Sequence, residues 1–156
     1  GKTGTEKPFI MTSSTDWSKV MVKNVGGVNN CTRKVLPTMI RNKTGRIVNI
    51  TSLSGLKGNP GMSAYSASKA AIVAFSKSLS KELKGTGIII NCLAPGFIQT
   101  DMTQDLSEEY YTQRMLNSIS GRMGTVKEAA EMVLFLAKDA PDYFINQEVI
   151  LDGGIS

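Results

Sequence analysis

The chain has no histidine and only two cysteines in 156 residues. Without an imidazole there is no Ser-His-Asp triad, no Cys-His nucleophile and no histidine-bearing zinc site within the chain. Cys31 and Cys92 lie far apart in apolar segments with no C-x-x-C spacing. That argues against a disulfide framework and for buried, reduced thiols in a cytosolic protein. Long hydrophobic runs are missing too. The apolar stretches fall well short of the roughly 20 residues that span a bilayer, and no stretch reads as a signal peptide. Aromatic residues are scarce, at 6%, and the 18 lysines and arginines are scattered instead of interleaved with them. The formal charge of +5 therefore describes a solvated surface, not a nucleic-acid face, although a weak attraction for an acidic partner remains compatible with it. Repeats and low-complexity segments are absent.

What is present is an ordinary globular composition, with 41% hydrophobic and 20% charged residues, on a chain long enough for one domain. Ser14 or Thr15 can cap a helix opened by Asp16-Trp17. Its apolar face runs through Val20, Met21, Val25, Val28, Cys31, Val35, Leu36 and Met39. Pro37 is expected to kink its last turns, and Lys43-Thr44-Gly45 to close it. Arg46 to Thr51 reads as a buried strand, and Gly55 to Gly61 as a glycine-rich loop. Ala64 to Leu83 is a helix of small residues suited to packing between the sheet and a neighbouring subunit. Ile88 to Leu93 is a second strand, broken by Ala94-Pro95-Gly96. Asp101 to Ile119 is polar, partly helical and mobile; Thr125 and Glu128 form a capping box. Asn146 to Leu151 is a third strand. Strands alternating with helices imply right-handed crossovers and a parallel sheet.

The stretch Gly45 to Lys69 carries the chemistry. Ser52 stands where a strand ends, and Tyr65 and Lys69, four residues apart, share one helix face. A tyrosine has a reference pKa of about 10, and a nearby ammonium favours its phenolate and draws that value down. A serine hydroxyl beside the phenol can hold a carbonyl oxygen. Such a trio can protonate an alkoxide or deprotonate an alcohol. Alone, Tyr-x-x-x-Lys is equally a surface pair and Ser52 equally a capping serine.

Five stretches settle the resemblance: Gly-Arg-Ile-Val-Asn-Ile-Thr-Ser, Tyr-Ser-Ala-Ser-Lys, Asn-Cys-Leu-Ala-Pro-Gly-Phe-Ile-Gln-Thr-Asp-Met, Gly-Arg-Met-Gly and Val-Ile-Leu-Asp-Gly-Gly. In this order and spacing the chain resembles the C-terminal portion of a short-chain dehydrogenase/reductase, most closely the β-ketoacyl-acyl-carrier-protein reductases. The resemblance implies the C-terminal portion of a Rossmann-like doubly wound parallel sheet, a three-layer αβα architecture. It implies Asn24, Ser52, Tyr65 and Lys69 as catalytic residues. For the cofactor it implies Tyr65, Lys69, Pro95, Gly96, Ile98 and Thr100, with no metal. The implied reaction is reduction of a 3-oxoacyl thioester, carrier-protein-bound, or of a small ketone, to the hydroxy form. NADPH is the expected cofactor, with NADH left open. The resemblance further implies a cytoplasmic dimer or tetramer, or a hetero-oligomer with a related reductase, with neither nucleic acid nor membrane as partner.

The family's Thr-Gly-x-x-x-Gly-x-Gly turn and the residue that selects between the two dinucleotides do not occur in these 156 residues. Residues 1–156 are therefore expected to be a single partial domain lacking the N-terminal dinucleotide-binding half, a piece of a longer protein. Two alternatives accompany this expectation. One is a non-catalytic subunit that pairs with a full-length reductase and completes its sheet. The other is an epimerase or dehydratase of the extended branch, disfavoured because that branch carries a larger C-terminal substrate domain.

Overall fold

The computed structural model describes residues 7–100 and 108–155. After a 3-10 turn at Phe9–Met11, helix α1 (Ser14–Met21) begins one residue past its cap. That cap is Ser13, not Ser14 or Thr15. Its Oγ accepts the Asp16 N–H at 3.0 Å and donates to the Asp16 carboxylate at 2.9 Å, which settles the choice. The helix widens into a π-turn at Val22–Gly26 and resumes as α2 (Gly27–Asn42). Pro37 lies inside α2 without ending it. Lys43 closes α2 in the left-handed conformation, φ 52°.

Strand β1 (Gly45–Ile50) leads to a short helix α3 (Leu53–Lys57), where the glycine content implied only a loop. Helix α4 (Ser63–Glu82) and strand β2 (Ile88–Pro95) follow. Ala94 and Pro95 extend β2 instead of breaking it, because Pro95 pairs with Leu151 and needs no N–H of its own there. Helices α5 (Glu108–Leu116) and α6 (Val126–Leu134), the latter prolonged by a π-turn at Phe135–Asp139, precede β3 (Glu148–Leu151). The Thr125–Glu128 capping box opens α6 as expected.

Among the described residues the strands form one parallel sheet, ordered β1-β2-β3. Residues 88–94 of the middle strand are buried on both sides, which is why that stretch reads as an apolar run interrupted only by Asn91. Alternation divides the two faces. Ile47, Ile88 and Ile90 meet Leu36 and Met39 of α2, Leu79 of α4 and Leu83 just past its end. On the opposite face Arg46 reaches the Leu136 carbonyl at 3.4 Å and pairs with Asp142 at 2.5 Å. Helices therefore cover both faces, giving the three layers expected. The lateral step is the same in both crossovers, yet α4 and α6 lie on opposite faces. The two crossovers thus have opposite hands, a departure from the uniformly right-handed expectation.

Of the two thiols, Cys92 is buried in β2 as expected, whereas Cys31 is exposed because it falls on the outer side of α2. No helix among the described residues is long and apolar enough to cross a membrane.

Candidate active site

Parallel strands place their carboxyl ends together, and the candidate residues gather there. Thr51 fixes the end of β1: its N–H and its hydroxyl both donate to the Leu93 carbonyl, at 2.7 and 3.0 Å. Ser52 comes next, in extended backbone, and caps α3 by accepting the Ser54 N–H at 3.2 Å. The loop returning toward α4 is tied to the same turn, since Asn59 donates to Ser54 Oγ at 2.7 Å.

Tyr65 and Lys69 stand one turn apart on α4, as their spacing predicts. The Lys69 ammonium lies 5.6 Å from the centre of the Tyr65 ring and donates to the Ile50 carbonyl at 2.9 Å. The Ser52 and Tyr65 side chains face each other within hydrogen-bonding reach. The electrostatics differ from the expectation. Burial raises the Tyr65 phenol above its ordinary 10.0, and the Ser52 contact offsets this only in part; burial also lowers the Lys69 ammonium. Desolvation thus governs both shifts. At neutral pH the phenol keeps its proton, the form a general acid needs.

Asn24 joins this group through the π-turn. Its Nδ2 donates to Ser68 Oγ at 2.9 Å, and that hydroxyl donates to the Tyr65 carbonyl at 2.7 Å. Ser68 is fully buried one residue before Lys69. An inserted π-turn rotates the helix beyond it and re-aims the side chains it carries, and such turns are frequent at functional sites.

Pro95 and Gly96 leave the carboxyl end of β2. The Gly96 N–H donates to the Leu151 carbonyl at 2.9 Å, and a Cβ at Gly96 would fall 2.9 Å from the Asp152 Cα, so only glycine fits. Ile98 bridges Gly124 through the peptide groups of Phe97 and Gln99. Thr100 is half-buried at the end of the described stretch. Residues 101–107, the first part of the polar stretch Asp101 to Ile119, lie outside the described residues. The remainder of that stretch includes α5, after which the Ile119 and Ser120 N–H groups donate to the Gly154 and Gly153 carbonyls at 3.3 and 2.9 Å.

The geometry brings Asn24, Ser52, Tyr65 and Lys69 together around α4, with Pro95 to Thr100 leaving the same end of the sheet. Two supporting residues escaped the sequence reading. Ser68 links Asn24 to α4, and its only signal is a small polar residue three after Tyr65. Gly55 lets α3 lie against Lys69, and glycine in an apparent loop gave no hint of that.

The family model described as enoyl-(acyl carrier protein) reductase matches residues 1–156. The 3-oxoacyl-[acyl-carrier-protein] reductase FabG of Chlamydia trachomatis serovar D is 42% identical over 144 residues, covering 92% of this chain and 58% of that protein. The protein of the same name from Thermotoga maritima is 42% identical over 140 residues, covering 90% and 57%. The crystal structure of a gluconate 5-dehydrogenase from Burkholderia cenocepacia J2315 in complex with NADP and tartrate superposes with a TM-score of 0.92 at 30% identity. That match covers 96% of this chain and 60% of the other. The chain thus spans a little under three-fifths of the length of these two curated relatives.

Proposed function

The chain belongs to the short-chain dehydrogenase/reductase family, and from that premise we propose that it carries the catalytic portion of an NADPH-dependent reductase acting on a 3-oxoacyl thioester. The observation that carries this reading is the meeting of Ser52, Tyr65 and Lys69 at the carboxyl end of the sheet, with Asn24 joined to the same helix. The relatives named above are named for 3-oxoacyl groups on acyl carrier protein, which supports the substrate class. The NADP in the gluconate 5-dehydrogenase structure supports the cofactor.

The donor set fits a nicotinamide nucleotide. Lys69 uses one N–H on Ile50 and has two more for ribose hydroxyls. The Tyr65 phenol, the Thr100 hydroxyl, the backbone at Ile98 and the Pro95-Gly96 turn suit a ribose, a phosphate, a carboxamide and the nicotinamide ring. When bound, the reduced nicotinamide supplies a hydride to the 3-oxo carbon. Ser52 and Tyr65 hold the substrate oxygen as negative charge develops, and Tyr65 gives it a proton. A preorganised donor pair is a large term in such catalysis, and general acid transfer adds about 10²–10⁴-fold. Lys69 orients the phenol and stabilises the phenolate left behind; Asn24 holds the helix that carries both.

In this reading residues 1–156 are the C-terminal portion of one domain of a cytoplasmic enzyme, as the relatives' greater length supports. Exposed apolar side chains on the α1–α2 arm support self-association as a dimer or tetramer, or pairing with a related reductase: Val22 is 72% exposed, Val35 43% and Ile40 44%. The test is oxidation of NADPH driven by a 3-oxoacyl thioester, using the polypeptide isolated from its source with its intact mass determined. Turnover supports the reductase. Absence of turnover, with a stable complex formed on a full-length relative, would favour the non-catalytic subunit instead.

A further inference from the structure

Asn49 and Ser76 are both buried, at 8% and 3% exposure, and neither touches the candidate reacting groups. Asn49 lies on β1 and donates from Nδ2 to Ser76 Oγ at 2.8 Å; Ser76 lies on α4 and donates to the Ile72 carbonyl at 2.7 Å. The Cys92 thiol, in register with Asn49 on the neighbouring strand, is within hydrogen-bonding reach of the same hydroxyl. Two strands of the sheet thus converge on one hydroxyl of the helix that carries Tyr65 and Lys69.

The position of that hydroxyl matters. Ser76 stands seven residues after Lys69, two turns along the same face of α4. Along β1 and α4 the contacts form successive rungs: Asn49 with Ser76, the Ile50 carbonyl with Lys69, and Ser52 with Tyr65. The apolar contacts around Ile72 and Val73 are non-directional and tolerate a slide of the helix along the strand. A buried hydrogen bond between two short side chains does not, because geometry falls off steeply and an unpaired buried amide is costly.

We propose that Asn49 and Ser76 are positioning residues that set the axial register of α4 on β1 and thereby hold the Tyr65 phenol opposite Ser52. The effect of this register on turnover rests on the reductase reading above. A displacement of about 1 Å at reacting groups can cost about 10²-fold in rate.

The test compares Asn49→Ala, Ser76→Ala and Ser76→Thr by NMR of labelled tyrosine ring carbons. Tyr65→Phe assigns the Tyr65 signal, and the exposed Tyr143 serves as internal control. Asn49→Ala leaves the Ser76 hydroxyl its bond to Ile72, so one variant remains informative if Ser76→Ala does not fold. The expected result is that both alanine variants shift the Tyr65 signal and raise the pH at which it ionises, as the Ser52 contact is lost. Ser76→Thr restores both, and Tyr143 stays unchanged. In turnover, kcat falls about 10- to 100-fold with KM nearly constant. Alanine variants that lose thermal stability while Tyr65's signal, its ionisation and kcat stay as in the wild type would overturn the proposal. A wild type without turnover whose Tyr65 signal still responds would support the register role and count against the reductase reading alone.

Discussion

Gly55 of α3 lies directly on Lys69 of α4. A Cβ built at Gly55 would come 2.9 Å from the Lys69 Cβ and 3.0 Å from the Ala70 backbone nitrogen. Gly55→Ala in a helix would gain up to about 1 kcal/mol in propensity. Forcing a methyl against backbone that cannot rotate away costs typically about 1–3 kcal/mol. The second effect wins. Gly55→Ala is expected to lower the midpoint of urea unfolding, and to weaken the Ser52–Tyr65 pairing by pushing α3 from α4. An unchanged or raised midpoint would contradict the close packing.

Ionisation of Tyr65 gives a pH test with a definite sign. A phenol whose folded pKa is raised above 10.0 contributes stability that is complete below pH 10 and is lost as pH rises through the folded value. Lys69, lowered from 10.5, works oppositely: its contribution is present above 10.5 and is lost as pH falls through its folded value. Tyr65→Phe removes the first effect only. It is expected to resist alkaline unfolding better than the wild type, by thermal melts taken from neutral to alkaline pH. Parallel losses in the two proteins would contradict the shift.

The Asn24–Ser68 bond predicts an asymmetry between its partners. Ser68→Ala leaves the Asn24 amide facing an apolar methyl, which costs about 1–3 kcal/mol where water cannot replace the hydroxyl. Asn24→Ala leaves Ser68 still bonded to the Tyr65 carbonyl. Ser68→Ala is therefore expected to be the more destabilising of the two in denaturant unfolding. The reverse order would show that the bond does not hold the π-turn to α4.

Glu128 supplies a control far along the chain from Tyr65. The Arg122 guanidinium, with the Thr125 N–H and hydroxyl, holds its carboxyl at about 2, below the usual 4.5. A depressed carboxylate gives stability that is present above pH 4.5 and lost as pH falls through about 2. The stability gap between wild type and Glu128→Gln is expected to close over that window. A gap independent of pH would mean the pair contributes nothing through its charge.

Much of this was legible in the sequence, for physical reasons. The run Ile88 to Leu93 had to be a buried strand. Tyr65 and Lys69 had to share a helix face, and Thr125 with Glu128 had to open a helix. Other features needed tertiary contact to decide. The helix at Leu53–Lys57 forms because Ser52 caps it and Gly55 lets it settle on α4, and neither is visible in local composition. The π-turn at Asn24 is a register slip that apolar periodicity absorbs without trace. The lowered phenol pKa expected from Tyr-x-x-x-Lys failed because spacing reports proximity, whereas burial governs the shift. Opposite crossover hands likewise depend on which face α6 covers, which alternation in β2 cannot reveal when both faces are apolar.

The central claim is that Tyr65 is the proton donor of a reductase. Its most direct test is Tyr65→Phe in the polypeptide as isolated from its source, measuring 3-oxoacyl-thioester turnover and NADPH binding side by side. The account predicts a loss of about 10²–10⁴-fold in turnover with cofactor affinity nearly unchanged. Turnover close to that of the wild type in this variant would contradict it.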